Sequence, residues 1–221
     1  MVNKNRWCFH YWIFYYILRC IYRLFFRWEI HGLEHFPPSG GFILAVNHAS
    51  YLDPTIVGSA APRKLFYMAR KTLFKKGFWE RFLLSINAIP IDREGYDLHA
   101  IKNMIDIIHA GEPVLIFPEG TRSPDGNLQQ IRHGIGFVTM RAHADVLPCY
   151  ISGSWYILPK GEKVIRFHKV KVLFGKMISY SQFGDLHPTK VNYQKISNIV
   201  MEQIAGLKAQ LEGEKRQKKE K

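Results

Sequence analysis

The sequence predicts a single α/β domain with a mostly parallel central sheet flanked by helices, preceded by an aromatic N-terminal helix. Three observations carry this expectation. Short apolar runs alternate with segments of helical spacing, the order of strand–helix–strand units. Several of those runs lack polar alternation, as strands covered on both faces do. The length of 221 residues, 47% hydrophobic, suffices for one packed core and makes two ordinary domains unexpected.

Residues 1–28 stand apart. An uncharged, largely aromatic run from Trp7 to Leu18 is followed by Arg19, Arg23 and Arg27 at four-residue intervals. The run is short of the roughly 20 apolar residues that span a bilayer, and no small-residue cleavage site of a signal peptide follows it. On a helix each step of four drifts by only about 40°, so the arginines form one stripe beside aromatic and aliphatic faces. Trp and Tyr suit the headgroup level and arginine suits anionic lipid. The segment is therefore expected as an interfacial membrane helix, with a tilted insertion or an ordinary buried helix as the other readings.

The domain proper is expected over 29–212. It opens with a short strand at Trp28–Gly32, and Pro37-Pro38-Ser39-Gly40-Gly41 is a turn signal. Apolar strand candidates follow at Phe42–Val46, Leu65–Ala69, Ala88–Ile91, Val114–Phe117, Val146–Ile151 and Val164–Phe174. Helical segments are expected at Leu73–Ile86, Tyr96–His109 and Ile135–His143. The second of these carries Leu98, Ile101, Ile105 and Ile108 at steps of three and four. A last helix presents Ile196, Val200, Ile204, Leu207 and Leu211 as one apolar face. A basic tail over 213–221 is expected to be solvated.

Lys and Arg number 31 against 18 Asp and Glu, a formal charge of +13 that favours an anionic partner: nucleic acid, anionic lipid or a phosphorylated substrate. No helix-turn-helix, zinc-finger or RNP pattern is present, so nucleic acid is not expected. Three cysteines without CxxC spacing fit neither a disulfide framework nor a zinc site and point to a reducing compartment. Ten scattered histidines without HExxH spacing give no reason to expect a metal.

Chemistry concentrates where strands end. After the Phe42–Val46 run comes Asn47-His48-Ala49-Ser50-Tyr51-Leu52-Asp53-Pro54, in which Asp before Pro signals a helix start. On one continuous helix His48 and Asp53 would lie about 140° apart; a loop between them can fold Asp53 back to one imidazole nitrogen, leaving the other as a base. The bland alternative is a solvated histidine beside an ordinary helix cap. Beyond Val114–Ile116 the chain reads Phe117-Pro118-Glu119-Gly120-Thr121-Arg122-Ser123, where Gly120 permits close backbone approach and Arg122 can grip a phosphate bidentately. Here the alternative is a tight loop whose Glu119 and Arg122 pair with each other. Asn87-Ala88-Ile89-Pro90-Ile91-Asp92-Arg93 ends another strand in charge, and Lys71 follows a fourth. Three cations and one base at corresponding strand ends suit an anionic substrate with a hydroxyl nucleophile.

The NHxxxxD and FPEGTRS segments, in this order, resemble the glycerolipid acyltransferase family, and its bacterial members that acylate 1-acylglycerol 3-phosphate most of all. The resemblance covers roughly residues 28–155. It implies that His48 is the catalytic base and Asp53 its orienter. It also implies that Lys71 and Arg93 contact the acceptor phosphate, that Glu119, Gly120 and Thr121 shape the acceptor site, and that Arg122 holds its phosphate. Val146–Tyr150 would line the acyl side. Two departures stand out: Ile131-Arg132-His133-Gly134 replaces a Phe-Lys-Lys-Gly-like segment, and Asn87 stands where glycine is common.

The implied activity moves a fatty acyl group from a thioester to the sn-2 hydroxyl of lysophosphatidate. It needs no cofactor, with acyl-CoA or acyl carrier protein as co-substrate. Membrane lipids are the implied partners and the cytoplasmic face of a bacterial inner membrane the implied location. Another acceptor, such as glycerol 3-phosphate or a lyso-aminolipid, and a non-catalytic membrane-binding role are the alternatives. Direct transfer is expected rather than an acyl-enzyme on Ser50 or Cys149, since neither has its own base in the sequence.

Overall fold

The computed structural model describes residues 8–92 and 97–217, without the side chains of 8–10, 78, 79 and 214–217. Seven strands form one sheet: β1 (Glu29–His31), β2 (Ile43–Val46), β3 (Phe66–Arg70), β4 (Ala88–Ile91), β5 (Val114–Ile116), β6 (Val146–Ser152) and β7 (Lys171–Phe174). Their order is β1-β7-β6-β2-β5-β3-β4. The five strands from β6 to β4 are mutually parallel, while β7 runs antiparallel to β6 and takes β1 parallel beside it. A parallel return to the sheet requires a crossover of a dozen or more residues, usually helical. The connection from β6 to β7, residues 153–170, holds no α-helix, only a 3₁₀ turn at Ser154–Tyr156, and the chain re-enters the sheet reversed.

Helices cover both faces: α1 (Cys8–Phe25) and α2 (Asp53–Ala60) on one, α4 (Leu98–His109), α5 (Gly134–Ala142) and α6 (Lys190–Gln217) on the other, with α3 (Phe78–Ser85) leading into β4. Strand alternation divides the core accordingly. Ile43 and Ala45 of β2 join Val146 and Tyr150 of β6 under α4–α6; Leu44 and Val46 join Leu147, Cys149 and Ile151 under α1 and α2. Gly136 lets α5 approach α6 closely, since a Cβ there would sit 2.0 Å from the Tyr193 carbonyl oxygen.

The elements follow the sequence expectation with four differences. The segment expected as helix over Leu73–Ile86 is helical only over Phe78–Ser85, after a 3₁₀ turn at Lys71–Leu73. The strand expected from Val164 begins at Lys171; residues 160–168 form an exposed loop. Helix α6 continues to Gln217, past the boundary expected at 212, and Lys218–Lys221 lie outside the described residues. The fourth difference concerns the arginine stripe of α1. Arg19 turns inward, donating to the Ser59 carbonyl at 2.8 Å and to the Tyr15 hydroxyl at 2.6 Å, while Arg27 lies beyond the helix with φ 43°.

Helix α1 docks on α2 through that arginine, through Tyr15 Oη donating to the Ala61 carbonyl and through Tyr22 Oη hydrogen-bonded to Thr55 Oγ1 at 2.7 Å. Burial pushes the Tyr22 hydroxyl up to about 12, so it stays protonated. The face left outward is apolar: Ile13, Tyr16, Ile17, Ile21, Leu24 and Phe25. Among the described residues no helix is long and apolar enough to cross a membrane.

Candidate active site at the carboxyl edge of the sheet

Because five strands are parallel, their carboxyl ends open at one edge, where ligand sites of α/β sheets gather. His48 follows β2 there. Its neighbour Asn47 fixes the start of the loop by pairing with Ile151 of β6 as a strand residue would. Asn47 Oδ1 accepts from the Ile151 amide at 2.7 Å, and Nδ2 donates to the Ile151 carbonyl at 3.1 Å. No local pattern points to this role, because the partner lies 104 positions away.

Asp53 opens α2 as its first helical residue, with Leu52 at the cap position. The carboxylate does not cap its own helix; it folds back across the loop. Oδ2 accepts from the Ala49 amide at 2.6 Å, from the Ser50 amide at 2.7 Å and from His48 Nδ1 at 2.9 Å. Two amides that can only donate make this oxygen an acceptor, so Nδ1 carries the hydrogen and Nε2 keeps its lone pair. The imidazole also stacks on Phe117, with ring centroids 3.9 Å apart and planes within 16°. Clamped at its face and at Nδ1, the ring has one free direction, through Nε2.

The loop after β5 grips His48 from both sides of its backbone. The His48 amide donates to Glu119 Oε1 at 2.9 Å, and its carbonyl accepts from the Ser123 amide at 2.7 Å. Glu119 is buried. Its Oε2 accepts from Gln129 N and Nε2, so the carboxylate faces the protein rather than a substrate or Arg122. Burial raises its pKa, and the Asp53 charge adds to the rise, against the hydrogen bonds that lower it. Gly120 has φ 68°, the left-handed conformation that glycine takes freely, and Gln129 Nε2 also donates to the Thr121 carbonyl.

Arg122 lies with its guanidinium carbon 3.3 Å from the Tyr51 ring centroid. Its buried Nη1 has no hydrogen-bond partner among the described residues. A buried guanidinium donor without an acceptor is chemically suited to an anion. Lys71 is exposed where β3 ends, at the same edge. Arg93, also expected at this edge, lies outside the described residues. Asn87 has φ 62°, which explains the residue found where the family resemblance leads one to expect glycine: asparagine is among the few side chains that tolerate the left-handed region.

Ser50 Oγ is buried and donates to the Leu158 carbonyl at 3.0 Å, and the Cys149 thiol is fully buried, with its pKa pushed well up by that burial. Neither presents a nucleophile to the edge. Cys20 is exposed on α1. Among the described residues no group of three or more His, Cys, Asp or Glu could hold a metal ion.

Two largely apolar cavities adjoin Phe117 on opposite faces of the sheet. One, of about 290 Å³, lies between α1, α2 and α3 and is lined by Tyr11, Phe14, Gly58, Met68 and Phe82. The other, of about 350 Å³, is lined by Met68, Leu98, Met104, Ile116 and Phe137.

An oriented imidazole with a free Nε2, an unpartnered guanidinium and adjoining hydrocarbon-lined space define a site that can deprotonate a hydroxyl on an anionic, lipid-like acceptor. The chain belongs to the Acyltransferase family, whose model matches residues 27–152. It is similar to a 1-acyl-sn-glycerol-3-phosphate acyltransferase of Bacillus subtilis (strain 168), 27% identical over 83% of this chain and 89% of that protein. It is also similar to the chloroplastic 1-acyl-sn-glycerol-3-phosphate acyltransferase BAT2 of Brassica napus, at 28% identity over 73% of this chain, and spans about half (48%) of that longer protein. Among solved structures, the 1-acyl-sn-glycerophosphate acyltransferase PlsC of Thermotoga maritima shares the fold, with a TM-score of 0.74, 22% identity, and coverage of 90% of this chain and 80% of that one.

Proposed function

We propose that this acyltransferase moves a fatty acyl group from an acyl thioester, acyl-CoA or acyl-carrier protein, to the sn-2 hydroxyl of 1-acylglycerol 3-phosphate. The observation that carries the reading is the His48 Nδ1–Asp53 Oδ2 hydrogen bond of 2.9 Å, which leaves Nε2 as the free nitrogen of the ring. The relatives named above support the choice of acceptor.

His48 Nε2 takes the hydroxyl proton as the oxygen attacks the thioester carbonyl, and Asp53 stabilises the imidazolium so formed. The tetrahedral intermediate then collapses, the carbon–sulfur bond breaks, and the thiolate takes the proton back from Nε2. Asp53, Glu119, Gly120 and Thr121 act by positioning: they hold the loops on which His48 and Arg122 sit. Arg122, with Lys71 and Arg93, receives the acceptor phosphate, and the cavities beside Phe117 offer space for hydrocarbon. The apolar outer face of α1 supports a location at the cytoplasmic face of a membrane, beside an acceptor that is itself a lipid.

Thiol release from each donor, in the presence of 1-acylglycerol 3-phosphate, tests the proposal. His48→Ala should lower the rate by about 10²–10⁴-fold, the usual contribution of a general base. A wild type that transfers only to glycerol 3-phosphate or to a lyso-aminolipid would replace the acceptor, and a fully active His48→Ala would remove the base.

A further inference from the structure

Residues 160–168 are exposed without a break, and the apolar ones among them have no place in the core. Val164 is 67% exposed and Phe167 70%, with Ile165 beside them. Three neighbouring large hydrophobic side chains in water are a standing cost unless something covers them. What adjoins them is known. Phe167 stacks on Phe25 at 5.6 Å and 27° and also meets Phe26, so the loop's apolar patch continues into the exposed apolar stripe of α1. The backbone ties the two as well, the Val170 amide donating to the Phe26 carbonyl at 3.1 Å.

Charge selects the occupant. Within the loop Lys160, Lys163 and Arg166 stand against one acid, Glu162, which lies 3.7 Å from Arg166; Arg23 and Arg27 add to the positive side at the end of α1. Apolar side chains interleaved with cations suit a layer that is hydrocarbon below and phosphate above. The loop is also rooted beside the catalytic residues. The Leu158 carbonyl accepts from both Ser50 Oγ and the Tyr51 amide, and Trp155 Nε1 donates to the Pro124 carbonyl.

We propose that the 160–168 loop is a second lipid-contact element, with Val164, Ile165 and Phe167 entering the headgroup layer of an anionic bilayer beside α1. This inference rests on the reading that α1 lies on a membrane, and it adds what one helix cannot supply. A single interfacial helix leaves the protein free to roll about the helix axis. A second contact fixes that rotation, and so fixes which way the edge bearing His48 and Arg122 faces.

The test places an environment-sensitive fluorophore at Ile165→Cys in the full chain, with Cys8→Ser and Cys20→Ser so that the buried Cys149 is the one other thiol left. A control carries the label at Lys102→Cys, exposed on α4 across the sheet. On mixing with vesicles of phosphatidylcholine and phosphatidylglycerol, the label at 165 should brighten severalfold and shift to the blue while that at 102 does not. Val164→Asp with Ile165→Asp, both at exposed positions, should weaken vesicle partitioning on the order of tenfold without loss of fold by circular dichroism. If the protein sediments with vesicles while the 165 label stays unchanged, the loop remains in water and this proposal falls, the membrane reading standing. A wild type that ignores vesicles overturns both. A concentration-dependent dimer abolished by the two Asp substitutions, with no response to lipid, would assign the surface to a second copy of the chain instead.

Discussion

Asp53 Oδ2 accepts from the Ala49 and Ser50 amides as well as from His48, so one oxygen fixes both the shape of the catalytic loop and the tautomer of its histidine. In Asp53→Asn the amide oxygen can still receive the two backbone donors. A neutral acceptor, however, no longer stabilises an imidazolium, and the new NH₂ occupies a buried position where Oδ1 has no partner. The expected result is a fall in kcat of about 10²–10⁴-fold with little change in KM, measured by thiol release. Glu119→Gln, nearly isosteric, should fare worse in stability than its size suggests. All three N–H groups at this carboxylate are donors, and an amide brings two more; an unfolding free energy lower by about 1–3 kcal/mol is expected in urea titration. The His48–Asp53 pairing was legible in the sequence because its geometry is local. Asn47, Gln129 and the Tyr51 ring under Arg122 were not, since each acts through a residue brought near only by the sheet.

Among the elements, strands buried on both faces announced themselves as apolar runs, and β4 was found with the bounds it has. The misplaced start of β7 has a physical cause: Val164, Ile165 and Phe167 have the composition of a strand but no neighbouring strand to pair with, and composition does not say what will cover a side chain. The reversal of β7 was foreshadowed by the lack of any helical segment after β6, whereas the order of strands across the sheet left no local trace. The edge made by β1 and β7 carries its own pH dependence. Partial burial raises the Glu29 carboxyl, but hydrogen bonds from Lys169 and Lys171 outweigh it and bring the group to about 2. A pKa depressed on folding contributes stability that is present above the ordinary carboxylate value of about 4.3 and is lost as pH falls toward 2. Wild type should therefore lose more thermal stability than Glu29→Gln as the solution is acidified through that window. The difference should be small and should shrink with added salt, because the pair is partly solvated.

For the molecule as a whole, a charge of +13 and an apolar helix face act together, and salt separates them. Partitioning onto vesicles containing phosphatidylglycerol should weaken between low and physiological ionic strength, while partitioning onto neutral phosphatidylcholine should change little; equal loss on both would assign the binding to charge alone. The docking of α1 carries the last consequence. Tyr15, Arg19 and Tyr22 fasten it to α2, the helix that Asp53 opens, so the proposed membrane-facing helix is tied directly to the element that bears the proposed catalytic pair. A catalyst held in that way would meet its acceptor in two dimensions. Its rate should follow the mole fraction of lysolipid in the surface rather than the amount in the tube: diluting the vesicles with buffer, once the enzyme is bound, leaves turnover unchanged, whereas diluting the lysolipid with inert phospholipid slows it.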